Sequence, residues 1–519
     1  MTPPGGGRNQ VDARFISRFN VFSLPKPDYE EVQHIYGKII ETRMHDFNED
    51  VRLSATKITE ATSNIFDFSV LQLLPTPSKF HYIFTLRDFS RVYEGLCLCT
   101  KDKITNSNEF VRLWRNEINR VFFDRLVDEA DMMRMRAQIT KVIKEIFADN
   151  SEYALKDPLL YGDFEHAVDR LTYGTEDPRL YCDMGDLESA RSIFQSVIDC
   201  YNTTEDKKPL RIVMFDDALC HLIRILRILR NPRGTALLIG IGGSGKQSLS
   251  RLAAYASGFA LHQIVLKKGY CFDDFVEEMK EMYKTLISVP VVFLLSDTNI
   301  VDEKILECVS NMLSLGIHPG LFDSDERDAI CNIVREKGII GNNEILWEYF
   351  IETCRNNLRV VLTMSPSGDK LRVRCRNFPC LISSMTIVWF FSWPKEALLK
   401  VASHFLSTDT NIASDSFQHV INHMVFVHEQ VRKKAQSFTD ITKRPNYVTS
   451  KTFLDFITTF RQQFQNEEKK FDYTLKRLSG GLSKIEEAAS SVDKLQVQLK
   501  EKKVIISLFD EQFNYSYFI

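Results

Sequence analysis

A glycine-rich loop constrains this chain more than any other feature. Residues 240–248 read Gly-Ile-Gly-Gly-Ser-Gly-Lys-Gln-Ser, directly after the apolar run 235–239 and before a stretch with helical spacing. A strand, such a loop and a helix form a phosphate-binding P-loop, because glycines let backbone N–H groups approach phosphate and the helix N-terminus adds partial positive charge. We therefore predict a nucleoside-triphosphate site in which Lys246 neutralises the β- and γ-phosphates. The predicted nucleotide contacts are Gly240, Gly242, Gly243, Ser244, Gly245, Lys246, Gln247 and Ser248.

The metal and base positions of this site depart from the usual motif. Gln247 stands where a Ser or Thr hydroxyl would hold Mg²⁺, so its amide oxygen, or the hydroxyl of Ser248, is the candidate ligand. The apolar run 291–296 ends at Asp297, the candidate magnesium-side carboxylate. Thr298 follows, where a glutamate would act as general base, and a positioned base contributes about 10²- to 10⁴-fold in rate. We predict nucleotide binding with weak or no hydrolysis, and we assign no catalytic residue.

Strand and helix patterns alternate around the loop. Apolar, non-alternating strands separated by helices indicate a parallel sheet covered on both faces, which is an α/β fold. The predicted strands are 211–215, 235–239, 261–266, 291–295 and 358–364, and the predicted helices begin near 218, 246 and 272. The segment 28–145 is predicted to be mostly helical, with a break at the prolines of 74–77, and the chain turns helical again after 394.

One helix, 218–230, carries three arginines at a spacing of three: Arg224, Arg227 and Arg230. They could form a phosphate-binding stripe. A solvated basic face on an amphipathic helix is the interpretation that the intervening Ile and Leu residues favour.

Apolar residues recur every three or four positions from 471 to 499, and Phe464 lies seven positions before Phe471. This spacing predicts a coiled-coil helix over 464–502, about 60 Å long at 1.5 Å per residue. A single apolar seam cannot bury itself, so the helix needs a partner, and Gly480 and Gly481 weaken it locally.

Composition excludes several classes of protein. The net charge is −3, so the electrostatic attraction to nucleic acid or anionic lipid that a strongly basic chain has is absent, and we expect neither as a partner. The first residues lack the apolar core of a secretory signal, and no apolar run approaches the roughly 20 residues of a membrane span. The 11 cysteines contain no CxxC pair and are expected to be free thiols in a reducing compartment.

These motifs together resemble the fourth AAA+ module of an axonemal dynein heavy chain. The resemblance is carried by Phe-Asp-Asp-Ala at 215–218 with the helix to 230, by Pro-Arg-Gly at 232–234, and by the P-loop and the helix that follows it. It continues through 297–298, 319–322, 364–366, 374–379 and 389–394. Upstream, 3–9 with 14–19 and 74–77 with 86–91 are similar to the end of the third module, and downstream 447–460 and the heptads are similar to the end of the fourth module and the outgoing stalk helix.

The resemblance implies a P-loop AAA+ module flanked by helical small subdomains and a C-terminal coiled-coil helix. The implied segments are 1–27, the end of the third large subdomain; 28–160, its helical small subdomain; 161–209, a connector; 210–395, the fourth large subdomain; 396–460, its small subdomain; 461–502, the outgoing stalk helix; and 503–519, a tail foreign to the family.

It also implies further site residues. Ser365 lies near the first sensor position, and Arg87 and Lys451 lie where second-sensor residues of the third and fourth modules would be. One arginine near 374 would reach into the third module's nucleotide site, and the candidates are Arg372, Arg374 and Arg376.

The implied function is an ATP-binding ring segment of a minus-end-directed microtubule motor of cilia and flagella. ATP or ADP would be a structural or regulatory ligand, with Mg²⁺ as a possible companion. Neighbouring dynein AAA+ modules and dynein complex subunits would be the partners, and the microtubule would be reached only through parts that this chain lacks. We expect an interior slice of a motor, located in the cytoplasm, the cytoskeleton and the ciliary axoneme. A free-standing AAA+ ATPase and a coiled-coil adaptor without nucleotide function are the alternatives.

Overall fold

The computed structural model describes residues 11–516 except 26, 174–178, 205–208, 211, 410–411, 413 and 445. The glycine run at 5–7, the motif at 3–9 and Arg211 therefore lie outside the described residues. The chain divides into two compact units, one made of Met1–Val401 with Lys434–Lys451 and the other of Ala402–Lys433 with Thr452–Ile519.

The first part of the first unit is helical, as predicted. Helices begin at capping residues and end before helix-breaking residues. Asp28 and Glu31 form a capping box at the start of one helix, and the prolines of 74–77 follow the end of another. Trp114 and Phe110 are fully buried at the centre of its core. The helices are α1 (Ala13–Ile16), α2 (Tyr29–Arg43), α3 (Glu49–Gln72), α4 (Leu86–Cys97), α5 (Ser107–Ile118), α6 (Glu129–Ile146) and α7 (Ser151–Ala154), with a π-helical turn at Asn119–Phe123 and a 3-10 turn at Ala148–Asn150.

The segment after 160 is more than the connector we expected. It contains β1 (Tyr161–Gly162), α8 (Ala167–Tyr173), β2 (Cys182–Asp183), α9 (Leu187–Thr203) and α10 (Asp216–Arg230), and β1 pairs antiparallel with β2. Phe194 and Val197 of α9 are buried in the same cluster as α10, because the polar residues of α9 lie on its outer face. The predicted strand at 211–215 is wrong over its described residues 212–215, since Met214 and Phe215 pack as an irregular lead into α10.

A five-stranded parallel sheet is the centre of the first unit. The strands are β3 (Thr235–Gly240), β4 (Ala260–Gln263), β5 (Val291–Ser296), β6 (Leu358–Met364) and β7 (Thr386–Phe390), in the order β4-β5-β6-β3-β7. The parallel α/β prediction is confirmed. The strand predicted at 261–266 is shorter than expected, and β7 was not predicted as a strand.

Both faces of this sheet are covered by packed side chains. Leu237 and Phe293 point into one buried cluster, whereas their neighbours Leu238 and Leu294 belong to the cluster on the opposite face. The covering helices are α11 (Lys246–Ala256), α12 (Phe272–Leu286), α13 (Lys304–Leu315), α14 (Ser324–Glu336), α15 (Asn343–Asn357), α16 (Lys370–Asn377) and α17 (Cys380–Ser383). Helix α18 (Lys395–Asp409) follows β7. Three helices, α13 to α15, separate β5 from β6 where the sequence suggested one.

The second unit consists mainly of two long helices, α19 (Ser414–Thr442) and α20 (Ser450–Ser516). The predicted helix at 464–502 is confirmed and extended: α20 has 67 residues, about 100 Å at 1.5 Å per residue, and continues through Gly480 and Gly481. Its apolar seam is exposed, with Phe471 at 73% and Ile485 at 69%. No described helix has the length and apolar character to cross a bilayer.

Candidate nucleotide-binding site

The P-loop lies between β3 and α11, at the carboxyl edge of the sheet. Gly243 and Gly245 have φ values of 80° and 90°, the left-handed region that favours glycine. A Cβ on Gly243 would lie 2.4 Å from the Cβ of Lys451, so a larger residue at this position would displace the chain that packs on the loop. The loop shape predicted from the sequence is confirmed.

Lys246 folds back over its own loop. Its Nζ donates hydrogen bonds to the carbonyl oxygens of Gly240 at 2.5 Å and Ile241 at 2.8 Å, and to Oγ of Ser244 at 3.1 Å. Burial lowers the pKa of Lys246 to about 8, and the charge of Asp297 opposes this shift only in part. The ammonium group is therefore held beside neutral oxygens, short of a counter-charge.

The N-terminus of α11 is open. Gly245 occupies the cap position and has no side chain that could accept a hydrogen bond from the first turn of the helix. The side chains of Gln247 and Ser248 are half-buried and make no hydrogen bond with a described residue. Free N–H groups at a helix N-terminus are a ready binding site for an anion.

Asp297 follows β5 and is paired with Arg374 of α16. The guanidinium donates to Oδ1 of the carboxylate in a short ion pair, with the two side chains 12% and 29% exposed. Arg374, one of the three candidates for an arginine that reaches into the third module's site, is thus engaged with Asp297, and its role stays a prediction. A metal ion on Asp297 would compete with this guanidinium.

Thr298 is engaged in a small polar network. Its Oγ1 lies 2.8 Å from Oγ of Ser296 and donates to Oδ1 of Asn299 at 3.2 Å. The buried Asn299 in turn donates through Nδ2 to the carbonyl of Ile264 at 2.6 Å. Sequence reasoning missed Asn299, and only its position two residues after Asp297 could have pointed to it. The network holds the loop after β5 and supplies no carboxylate at the base position.

The remaining candidates divide between those near the P-loop and those elsewhere. Lys451 packs against Gly243, as noted above, and Ser365 follows β6 and hydrogen-bonds Ser367. Arg372 and Arg376 are exposed, Arg372 pairs with Asp369 at 3.1 Å, and Arg87 donates to the carbonyl of Ser383 at 3.3 Å. The roles of all these residues stay predictions.

A small cavity of about 170 Å³ borders the P-loop. Ser244 and Leu249 line one side, and the aromatic rings of Phe215, Phe390 and Trp393 line the other. Asp124, Asp217, His221 and Arg224 also line it, so the cavity joins aromatic surface to polar groups. Aromatic surface with a few polar groups beside a phosphate-binding loop has the character of a site for a planar base.

Arg227 of α10 forms a buried ion pair, and the half-buried Arg224 and Arg230 also lie beside carboxylates, so the interpretation as a solvated basic face is wrong, whereas the phosphate-binding interpretation stays a prediction. Arg227 donates through Nε to Oε2 of Glu117 at 3.0 Å, and Glu117 is fully buried. Arg224 lies 3.4 Å from Asp124, and Arg230 lies 3.6 Å from Asp163. We call these three pairs the arginine seam. They join α10 to Glu117, Asp124 and Asp163. The sequence could not indicate this, because the partners are far apart in the chain: Glu117 and Arg227 are separated by 110 residues.

Family models match two parts of the chain. A model described as "P-loop containing dynein motor region D4" matches residues 210–463, and one described as "AAA+ lid domain" matches residues 60–160. The first match contains the P-loop, Asp297, Arg374 and Lys451.

Relatives match nearly the whole chain. Dynein axonemal heavy chain 10 of Homo sapiens is 40% identical over 98% of this chain, and the dynein-1-alpha heavy chain of the flagellar inner arm I1 complex of Chlamydomonas reinhardtii is 40% identical over 99%. The latter alignment extends into 503–519, which we had expected to be foreign. Dynein axonemal heavy chain 6 of Homo sapiens is 36% identical over 97%.

The chain spans only 11% to 12% of the length of these three relatives. Within that span, the P-loop, the parallel sheet and the helical flanks all agree with the matched models. The chain therefore belongs to the axonemal dynein heavy-chain family.

Proposed function

We propose that this chain is a nucleotide-binding ring segment of a dynein heavy chain, in which ATP or ADP is a structural or regulatory ligand with weak or no hydrolysis. The observation that carries the proposal is Lys246: a half-buried ammonium group that makes no ion pair with a described carboxylate, placed at the uncapped start of α11. A phosphate group supplies the negative charge that this arrangement lacks.

Binding would use the P-loop and the adjacent cavity together. Backbone N–H groups of 242–248 would hold phosphate oxygens, and Lys246 would leave the carbonyls of Gly240 and Ile241 to meet the β- and γ-phosphates. The aromatic cavity beside Ser244 and Leu249 would receive the base. Lys451, packed on Gly243, would face the phosphates from the opposite side.

Weak hydrolysis follows from what surrounds Asp297. Thr298 cannot take a proton from water at neutral pH, and its hydroxyl is engaged with Ser296 and Asn299. Gln247 and Asp297 are the proposed Mg²⁺ ligands, and Arg374 must release Asp297 before a metal ion can bind there. A bound Mg²⁺ would supply charge neutralisation between phosphate oxygens.

The family match supports a position for this segment within a larger assembly. We propose that 1–160 belongs to the end of a third AAA+ module, 210–460 to the fourth and 461–502 to the outgoing stalk helix, with 161–209 packed between modules. Neighbouring AAA+ modules and dynein complex subunits would be its partners, and a ciliary axonemal microtubule motor would be the parent machine. The names of the relatives, axonemal and flagellar, support this setting.

The decisive experiment compares wild type with Lys246→Ala, and uses Lys268→Ala, at an exposed lysine, as the matched control. We expect ADP and ATP to raise the melting temperature of wild type and of the control by mass action, and Lys246→Ala to lose at least about tenfold in affinity by calorimetry. ATP turnover by wild type should stay below about one per second, under typical enzyme rates.

Two results would contradict the proposal in different ways. Turnover of several ATP per second that Lys246→Ala abolishes would favour a free-standing ATPase. Indifference of wild type to both nucleotides would favour a coiled-coil adaptor instead.

A further inference from the structure

A second cavity, of about 260 Å³, lies beside the arginine seam and away from the P-loop residues. It opens between the π-helical turn 119–123, α6, the loop 157–160 and α10. Four arginines line it: Arg115, Arg120, Arg136 and Arg224. We call it the arginine cavity.

Positive charge exceeds negative charge around this cavity. Arg115 is fully engaged, with Asp157 at 2.7 Å and the carbonyl of Ala154 at 2.9 Å. Arg120 and Arg224, by contrast, share the single carboxylate of Asp124, at 3.2 and 3.4 Å.

No other described carboxylate lies within ion-pair distance of Arg224 or Arg136. Asp217 on α10 interacts with the charge of Arg224 but lies beyond ion-pair distance from it. Arg136, exposed at the mouth, has its guanidinium 5.7 Å from the ring centre of Phe123 and makes no ion pair with a described carboxylate. Four guanidinium groups therefore face two carboxylates.

Hydrogen bonding is also incomplete where the charge is concentrated. Nε of Arg120 is buried and makes no hydrogen bond within the described chain, and the ion-paired atoms Nε of Arg224 and Oδ1 of Asp124, 3.4 Å apart, also make none. Burial lowers the pKa of Arg120 even though Asp124 opposes the shift. Burial, and then the charges of Arg224 and Arg120, also lower the pKa of His221 well below 6.5. Burial is the main cause of both shifts, and the charge of Arg224 adds to each. An arginine cannot discharge by losing its proton, so the positive charge stays in the cavity wall.

We propose that the arginine cavity is a binding site for a phosphate-type oxyanion, held between the guanidinium groups of Arg120, Arg224 and Arg136. Planar guanidinium groups match phosphate oxygens in paired hydrogen bonds, and the cavity has room for one or two phosphoryl groups. The ligand is either a free inorganic phosphate or pyrophosphate, or the phosphoryl end of a nucleotide. Because Arg224 and Phe123 also line the smaller cavity beside the P-loop, the two sites share a wall.

The test uses pyrophosphate as the probe on the full chain carrying Lys246→Ala, which weakens the P-loop site. Chloride at equal ionic strength controls for screening. We expect pyrophosphate to raise the melting temperature of this variant, and Arg120→Met added to it to reduce pyrophosphate affinity about 10- to 100-fold by calorimetry. Arg136→Gln, at the exposed mouth, should reduce it about threefold to tenfold without affecting folding.

Arg120→Met should also affect the melting temperature of the ligand-free protein in a characteristic way. It removes a buried charge that lacks a full partner, so the melting temperature in chloride should be unchanged or higher, whereas Arg115→Met, which breaks a satisfied pair, should lower it. Replacing pyrophosphate with ADP in the Lys246→Ala variant distinguishes a nucleotide phosphoryl from a free anion.

Two outcomes would overturn the proposal. One is that Lys246→Ala abolishes all stabilisation by pyrophosphate, which would assign every phosphate contact to the P-loop. The other is that the Arg120→Met and Arg136→Gln additions leave pyrophosphate affinity unchanged. Neither outcome would affect the proposed nucleotide function, since that depends on wild type and Lys246→Ala with ATP and ADP.

Discussion

Two arginine–carboxylate pairs in this chain use the same chemistry in different surroundings. In the arginine seam, Arg227 and Glu117 are 5% and 0% exposed, and Tyr181 donates a further hydrogen bond to Glu117 at 2.8 Å. At the P-loop, Arg374 and Asp297 are 12% and 29% exposed, and Asp297 accepts no other hydrogen bond from a described side chain. The first pair is closed on all sides, whereas the second is partly exposed and lies at the site where we propose that phosphate and a metal ion bind.

This difference in burial indicates that the Arg227–Glu117 pair is structural and that the Arg374–Asp297 pair can be exchanged for contacts with a ligand. Removing one member of a closed, buried pair leaves a charge that water cannot solvate, so the loss of stability is large. A half-open pair can be replaced by a ligand, so its removal should affect binding more than folding.

Glu117→Ala tests the closed pair and should have the largest effect. It leaves Arg227 buried without a partner, so we expect the free energy of unfolding to fall by about 3–5 kcal/mol in urea denaturation. Glu41→Ala, which breaks the exposed Lys38–Glu41 pair, is the control and should leave stability unchanged within error. The double variant Glu117→Met with Arg227→Met should recover most of the lost unfolding free energy. An equal loss in Glu117→Ala and in the double variant would show that lost packing, and not an unpaired charge, causes the destabilisation.

His81 offers a second test of burial, through the pH dependence of the unfolding free energy. It is fully buried, stacks on Trp389 with ring centres 5.2 Å apart, and lies 3.0 Å from the carbonyl of Arg125 through Nε2. Burial lowers its pKa from 6.5 to about 4. The unfolded chain therefore binds more protons between these values, and the contribution to stability, full above pH 6.5, is lost as pH falls towards 4.

The expected size of this loss is up to about 3 kcal/mol. His81→Gln should flatten the fall in unfolding free energy between pH 6.5 and 5, measured by urea denaturation at each pH. His45→Gln, at a side chain 82% exposed, is the control and should keep the wild-type slope. Equal slopes for all three proteins would mean that other groups carry the acid sensitivity.

Arg374→Met tests the half-open pair and should have the smallest effect. It frees Asp297 for a metal ion, so we expect the enhancement of ATP affinity by Mg²⁺ to increase about tenfold in calorimetry, with little change in melting temperature. Arg372→Met, on the exposed side of the same helix, should leave the metal dependence unchanged. A loss of ATP affinity in Arg374→Met, with or without Mg²⁺, would show that this arginine contacts the nucleotide instead of restraining Asp297.

Secondary structure was predictable where a local pattern specifies it. The strand β6 (Leu358–Met364) and the helix α12 (Phe272–Leu286) begin where the apolar runs and caps indicated. The run 212–215 and strand β7 were not predictable, because a few apolar residues satisfy a strand edge and an irregular buried segment equally well. Tertiary packing decided between them, placing β7 beside β3 in the sheet.

The sequence by itself determined the chemistry of the phosphate loop. Its glycines, Lys246, Asp297 and the threonine at 298 lie in short motifs whose geometry follows from neighbouring residues, so they could be recognised without coordinates. Only the tertiary structure decided how the charges are used: that Arg227 is neutralised by Glu117, that Arg374 holds Asp297, and that two arginines share Asp124. The reason is that the residue type alone fixes the sign of a charge, whereas its partner depends on which distant chain segments come into contact when the molecule folds.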